Sequence, residues 1–282
     1  MKNIFIKLFC TILIFSITKA NCQKNDEYIN QNAIELTSIK KLNDSLYKKF
    51  KTFNLLMIGE MHGTNECADF VNALANLLTK NSDSVQVGME ILSSKMPDFA
   101  AHPTLKSLLS STYFNEENID GRRSQAWFDV LKSGLKNKKV KFFFFDVEGF
   151  NRDSLMYENV KQNILSNPNY KTVLLCGNYH NRVKSLNTKI KMGTYIMNDK
   201  SLDLKTKTCS ININYVGGEM MNSDGNGLQL KKLHNPESQF ANAVKFNQCL
   251  LFYPQDIDYD YNAILFIRNL TASPSVNLKS TN

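Results

Sequence analysis

Several features are scarce or missing in this 282-residue chain, and each absence narrows its reading. Beyond the first twenty-two residues there is no apolar run of membrane-spanning length, which argues against a polytopic membrane protein. The six cysteines fall in no metal-ligand spacing. No G-x-S-x-G elbow, H-E-x-x-H pair or P-loop occurs, which removes the commonest serine-hydrolase, zincin and nucleotide-binding readings. Basic residues form no aromatic-interleaved stripe, so the formal charge of +8 marks no nucleic-acid footprint. No Pro/Gly/Ser linker divides the chain and no internal repeat is visible, so one domain is expected over residues 23–282. What remains is globular in proportion: 43% hydrophobic, 11% aromatic and 21% charged.

The first segment, Met1 to Cys22, has basic Lys2 and Lys7, an apolar stretch from Leu8 to Ile17, and then small residues. That pattern predicts a secretory signal peptide over 1–22, cleaved after Ala20 or Cys22. A lipid anchor on Cys22 is the weaker reading, because Lys19, Ala20 and Asn21 make a poor lipobox. The segment carries three lysines and no acid, so its removal lowers the formal charge from +8 to +5. The mature protein is then expected in the periplasm, at the cell surface or secreted, with no transmembrane domain. Cys67, Cys176, Cys209 and Cys249 stay behind, either as packed thiols or as disulfides in any of three pairings.

Short apolar runs alternate with helical lengths along the middle of the chain. The runs are Leu55 to Ile58, Val85 to Met89, Phe142 to Phe145 and Thr172 to Cys176. Helical patterns cover Asn65 to Lys80 and Ser154 to Leu165, and an amphipathic trace links Ile34, Ile39, Leu42 and Leu46. Such alternation predicts βαβ units: an α/β fold with a mainly parallel central sheet flanked by helices. About fifty residues between the second and third runs read as a helical insertion, closed by a helix from Ser124 to Leu135. Beyond residue 190, strands are expected at Cys209 to Val216, Cys249 to Tyr253 and Ala263 to Ile267, extending the sheet at its edge, in part antiparallel. Gly217-Gly218 and Asp224 to Gly227 read as turns, His102 and His234 as loop residues, and the Asp256, Asp258, Asp260 alternation as a solvated loop.

The chemistry collects where these runs end. Glu60 and His62 follow the first, Glu90 the second, Asp146, Glu148 and Arg152 the third, and Asn178 and His180 the fourth. Carboxyl ends of parallel strands share one edge, and ligands bind there. Glu60, His62, Glu90 and His180 could hold a divalent ion through mixed nitrogen and oxygen ligands. Without a metal, the same groups could act as general acid and base. Arg152 either compensates buried carboxylates or stabilises an anion, and Asn178 is placed to meet a substrate. Gly59 and Gly63 suit a tight turn, Thr64 or Asn65 a helix cap, and Glu66 either the site or the helix terminus.

In that order, Gly59-Glu60-x-His62, Glu90, Arg152-Asp153-x-x-Met156 and Gly177-Asn178-x-His180 resemble the superfamily joining erythromycin esterases, ChaN-like haem-binding proteins and TIKI metalloproteases. Tyr261 to Ile267 followed by Leu270-Thr271 is similar to the closing strand of the esterase branch, and the likeness spans roughly residues 54–271. The resemblance implies an α/β hydrolase-like protein cleaving an ester or amide of a small molecule or peptide. In the esterase branch, His62 and Glu60 would activate water. In the TIKI-like branch, the two Gly-x-x-His elements would bind a divalent metal. The ChaN-like branch implies instead a non-enzymatic protein binding haem or metal.

Overall fold

The computed structural model of the chain describes residues 27–277, apart from 119, 186–188, 203–206, 224–226, 237, 239 and 255–258. The signal-peptide reading of 1–22, the turn at Asp224 to Asn226, and Asp256 and Asp258 lie outside the described residues. No helix among the described residues is long and apolar enough to cross a membrane.

In chain order the elements are β1 (Ile34–Glu35), α1 (Asp44–Phe50), β2 (Leu55–Glu60), α2 (Glu66–Lys80) and β3 (Ser84–Leu92). The insertion follows as α3 (Pro97–Ala101), α4 (Leu105–Leu109) and α5 (Thr112–Asn115), and leads into α6 (Gln125–Gly134). Then come β4 (Val140–Asp146), α7 (Arg152–Ser166), β5 (Tyr170–Gly177) and α8 (Met192–Asn198). The chain ends with β6 (Thr208–Ser223), β7 (Leu228–His234), α9 (Phe240–Ala243), β8 (Gln248–Phe252) and β9 (Ala263–Leu270). The described strands make one mixed sheet in the order β1-β8-β9-β6-β2-β5-β3-β4, with β7 paired to β6.

Strand β2 shows why the sequence folds this way. All six of its residues are buried, and a strand covered on both faces needs a continuous apolar run. Its side chains alternate between two cores. Leu56 and Ile58 pack with residues of α2 and α6, whereas Leu55 and Met57 pack with Phe145, Met156 and Val160 on the opposite face. The same parity sends Glu60 toward α6. From β2 the chain passes to β3 and outward to β4, and returns to β5 in the gap between β2 and β3. It then crosses to β6 on the far side of β2. The order of winding reverses around β5, which is where open α/β sheets bind ligands.

Several expectations are corrected. The trace from Ile34 to Leu46 is not one helix: Ile34–Glu35 pairs antiparallel with β8. Helix α1 begins only after Asn43, whose side chain accepts from the Ser45 amide. The late strands do extend the sheet at its β2 side, as expected, with β6 parallel beside β2 and β9 parallel beside β6. Among the described strands, antiparallel pairing joins β6–β7, β8–β9 and β1–β8. Gly217 and Gly218 lie within β6 rather than in a turn. Gly218 has φ +124°, and a Cβ there would meet the Leu270 carbonyl at 2.1 Å. His234 closes β7 instead of sitting in a loop. Cys67, Cys176, Cys209 and Cys249 are all buried free thiols.

The turn from β2 into α2 is pinned from three sides. Gly63 O accepts from Met221 N at 3.0 Å and from Ser273 N at 2.8 Å. Glu66 Oε1 accepts from Thr271 N at 2.9 Å and from Thr271 Oγ1 at 2.6 Å. Glu66 therefore ties the chain end to α2 and leaves the site to others. Asn65, at the cap position, spends its amide on Thr271 Oγ1 and Ala272 O instead of capping. Gly63 has φ +81°, and a Cβ on it would lie 1.8 Å from Met221 O. Gly63→Ala is expected to cost about 2 kcal/mol or more, read as a lowered midpoint in thermal unfolding; an unchanged midpoint would remove this turn as a constraint.

Candidate active site

The strand ends converge as the sequence leads one to expect, and the register explains how. Glu60 on β2 lies opposite Gly177 on β5, and Asn178 N donates to Glu60 O at 3.0 Å. A residue with a side chain at position 177 would crowd the site, because a Cβ there would come 3.0 Å from His62 Nε2 and 3.6 Å from Glu90 Oε2. Gly177 is thus the floor on which His62 and Glu90 meet.

Two histidine–carboxylate pairs flank this floor. His62 Nδ1 lies 2.6 Å from Glu60 Oε1, and His180 Nδ1 lies 2.7 Å from Asp153 Oδ1. Glu60 is fully buried and held by the indole N–H of Trp127, which donates to both carboxylate oxygens at 3.0 Å. His62 Nε2 makes no hydrogen bond among the described residues, and the side chain is 25% exposed. Burial pushes the Glu60 carboxyl upward. Burial alone would lower the His62 imidazole, but its hydrogen bond to Glu60 and the neighbouring negative charge outweigh that and raise it above its ordinary value. Asp153 is pulled the other way: burial raises it, and the hydrogen bond and charge of His180 bring it below its usual value. Its Oδ1 also accepts from Met192 N at 2.9 Å, which ties the second pair to α8.

Glu90 lies between the pairs. Its Oε1 accepts from Arg152 Nη2 at 2.6 Å and Arg122 Nη1 at 3.0 Å, and its Oε2 from Gly177 N at 2.7 Å. Both guanidiniums also reach Asp146, at 2.7 Å from Arg152 Nε and 2.9 Å from Arg122 Nη1. Burial alone would raise Glu90, but His62, His180, Arg122 and Arg152 together lower it to about 2. Arg152 Nη1 lies 3.2 Å from His180 Nε2, so the guanidinium donates there and the neutral ring carries its proton on Nδ1, facing Asp153.

Glu60, His62, Glu90, Arg152, Asn178 and His180 are therefore placed at one rim, whereas Glu66 is not, and the roles at the rim divide. Arg152 compensates buried carboxylates. Asn178 contributes its backbone, the amide to Glu60 and the carbonyl accepting from Tyr261 Oη at 2.7 Å. Arg122 and Trp127 escaped the sequence reading. They come from the insertion and α6, and no strand end in the sequence points at them.

The four nominated ligands suit a divalent ion poorly. Glu60 is engaged by His62 and Trp127, Glu90 is clamped by two guanidiniums, and a third close contact of Arg152 covers His180 Nε2. A cation placed among them would face two fixed positive charges. Among the described residues, no three His, Cys, Asp or Glu side chains form a metal-binding group. Haem fits no better, since the cavity beside the site is walled largely by charged side chains.

No protein-family model and no curated protein sequence matches the chain. Solved structures do share its fold. A Bacillus cereus protein superposes with a TM-score of 0.69 at 10% identity, covering 91% of this chain and 99% of its own. A succinoglycan biosynthesis protein gives 0.70 at 10% identity, over 90% and 99%. A mutant erythromycin esterase, EreC, in its open conformation gives 0.56 at 11% identity, over 87% and 99%. Identities this low establish the α/β architecture that the esterase resemblance implied.

Two measurements test this geometry. Glu90 is ionised down to about pH 2 in the folded state against about 4.3 when unfolded, so its clamp contributes fully above the unfolded value and is lost as pH falls toward 2. Glu90→Gln is expected to destabilise the protein by about 3–5 kcal/mol at neutral pH and to remove this acid-side loss, read by denaturant titration across pH. Trp127 is the single tryptophan, with its ring centroid 6.2 Å from that of His62. Its emission should titrate with a midpoint above the ordinary histidine value of about 6.5, and the transition should vanish in His62→Ala; a transition that survives there would assign it elsewhere.

Proposed function

We propose that the protein is a hydrolase that cleaves an ester or amide by general base catalysis at His62. The carrying observation is the short Glu60–His62 bond with Nε2 left open to the site. A buried carboxylate that accepts the Nδ1 proton fixes the tautomer in which Nε2 is the base. Trp127 in turn fixes the carboxylate, so the ring is oriented before substrate arrives.

In this reading, a water on the Gly177 floor gives its proton to His62 Nε2 as its oxygen attacks the substrate carbonyl. Glu60 stabilises the imidazolium that forms. Arg152, a third exposed, presents positive charge to the developing oxyanion while Glu90 and Asp146 hold it in place. The His62 imidazolium then returns that proton to the departing oxygen or nitrogen, while the Asp153–His180 pair holds Arg152 in place through its Nε2. Each step uses side chains of this chain alone. Export through residues 1–22, to the periplasm, cell surface or medium, belongs to the same proposal.

With a panel of simple esters and peptides, Glu60→Gln and His62→Ala should each lower kcat by about 10²- to 10⁴-fold with little change in KM or melting temperature. The acid limb of kcat/KM should lie above about 6.5 in the wild type, because a raised pKa demands a higher pH to free the base. It should move downward in Glu60→Gln. Chelators should leave the rate unchanged; loss of activity on chelation, restored by a divalent metal, would sink the metal-free base.

A further inference from the structure

A cavity of about 360 Å³ opens beside the rim, with Arg122, Arg152 and Asp146 shared between the two. Its volume sits at the low end of the roughly 300–1,000 Å³ typical of small-molecule sites, so it would hold a compact group. Its chemistry is unusual for such a site. The cations in its wall are Lys95, Arg122, Arg123 and Arg152. Each already has an acidic partner: Lys95 and Arg123 pair with Glu116 at 2.7 and 2.9 Å, Arg122 with Asp120 at 2.6 Å, and Arg152 with Glu90 at 2.6 Å. The acids in the wall are Asp120, Asp146 and Glu148. Counting Glu90 and Glu116 behind it, five carboxylates face four cations, so no cation of the wall is left without an acid.

An anionic ligand would have to displace a carboxylate from every guanidinium it approached, a cost that an uncharged ligand avoids. Guanidiniums and ammonium donate without accepting, carboxylates accept without donating, and a hydroxyl does both. Adjacent hydroxyls on a ring therefore match a wall that offers guanidinium donors beside Glu148, a carboxylate with no cation partner among the described residues.

We infer that this cavity binds an uncharged polyhydroxylated group, and hence that the ester cleaved at His62 is carried on a sugar or similar polyol. The second clause rests on the hydrolase reading above; the first does not. Cleavage would leave the free hydroxyl of the sugar and a carboxylic acid, the water supplying a proton to the one and hydroxide to the other.

The test separates the two clauses. Binding of neutral methyl glycosides to the full chain is measured by calorimetry, beside glucuronate and glucose 6-phosphate as charged counterparts. Saturable binding of a neutral glycoside, little changed by salt, and weakened about tenfold or more in Arg123→Gln/Glu148→Ala at unchanged melting temperature, is the expected result. Tighter binding of the charged sugars, no binding of any glycoside, or binding unaffected by the double variant would overturn the cavity assignment. Turnover is then compared between an O-acetylated methyl glycoside and 4-nitrophenyl acetate. A kcat/KM for the acetylated glycoside about tenfold or more above that of the aryl ester supports the inference. A glycoside that binds while neither ester is cleaved overturns the hydrolase reading and leaves the cavity assignment standing.

Discussion

Glu90 is buried, ionised and surrounded by donors, and the site is organised around that one carboxylate. Two guanidiniums and the Gly177 amide converge on it from the insertion, from the start of α7 and from the end of β5. A buried charge is tolerable only when its partners are held in place, so these three separate stretches of chain must keep their relative positions for the protein to stay folded. The same clamp keeps Arg152 beside His180 and sets Arg122 at the mouth of the neighbouring cavity. Stability and site geometry depend on a single electrostatic arrangement.

The two histidines use that arrangement differently. His62 is held from behind by Glu60 and keeps its outer nitrogen open, whereas His180 is held by Asp153 and has Arg152 against its outer nitrogen. The asymmetry follows from the parity of the strands. Glu60 points to the face where α6 supplies Trp127, while Arg152 and Asp153 open the helix that covers the opposite face. Two histidine–carboxylate pairs are thereby kept on either side of one negative charge. The carboxylate at the centre points at two guanidiniums built into the wall.

Much of this could be read along the chain, and the reasons are local. Leu55 to Ile58, Phe142 to Phe145 and Thr172 to Cys176 announce buried parallel strands because their apolar runs are too continuous for a half-exposed sheet. Residues directly after such runs must reach the carboxyl edge, so Glu60, His62, Glu90, Arg152 and His180 were legible as a group. Arg122 and Trp127 were not. They follow no strand, and their proximity to Glu90 and Glu60 depends on how the insertion folds over the sheet. The helical trace from Ile34 to Leu46 misled for a related reason: Ile39, Leu42 and Leu46 are buried and Ile34 partly so, but from three separate settings, β1, the loop before α1 and α1 itself.

What the sequence determined by itself was the alternation of elements, the parallel core of the sheet and the set of polar residues delivered to its edge, because periodicity and strand ends are properties of short segments. Tertiary structure alone decided the rest: which carboxylate pairs with which histidine, that Arg122 and Arg152 both pair with Glu90, and that β6 pairs parallel with β2 and β9 parallel with β6. These depend on contacts between residues far apart in the chain, where ångström distances and the cost of burying charge select one partner among several of the right type.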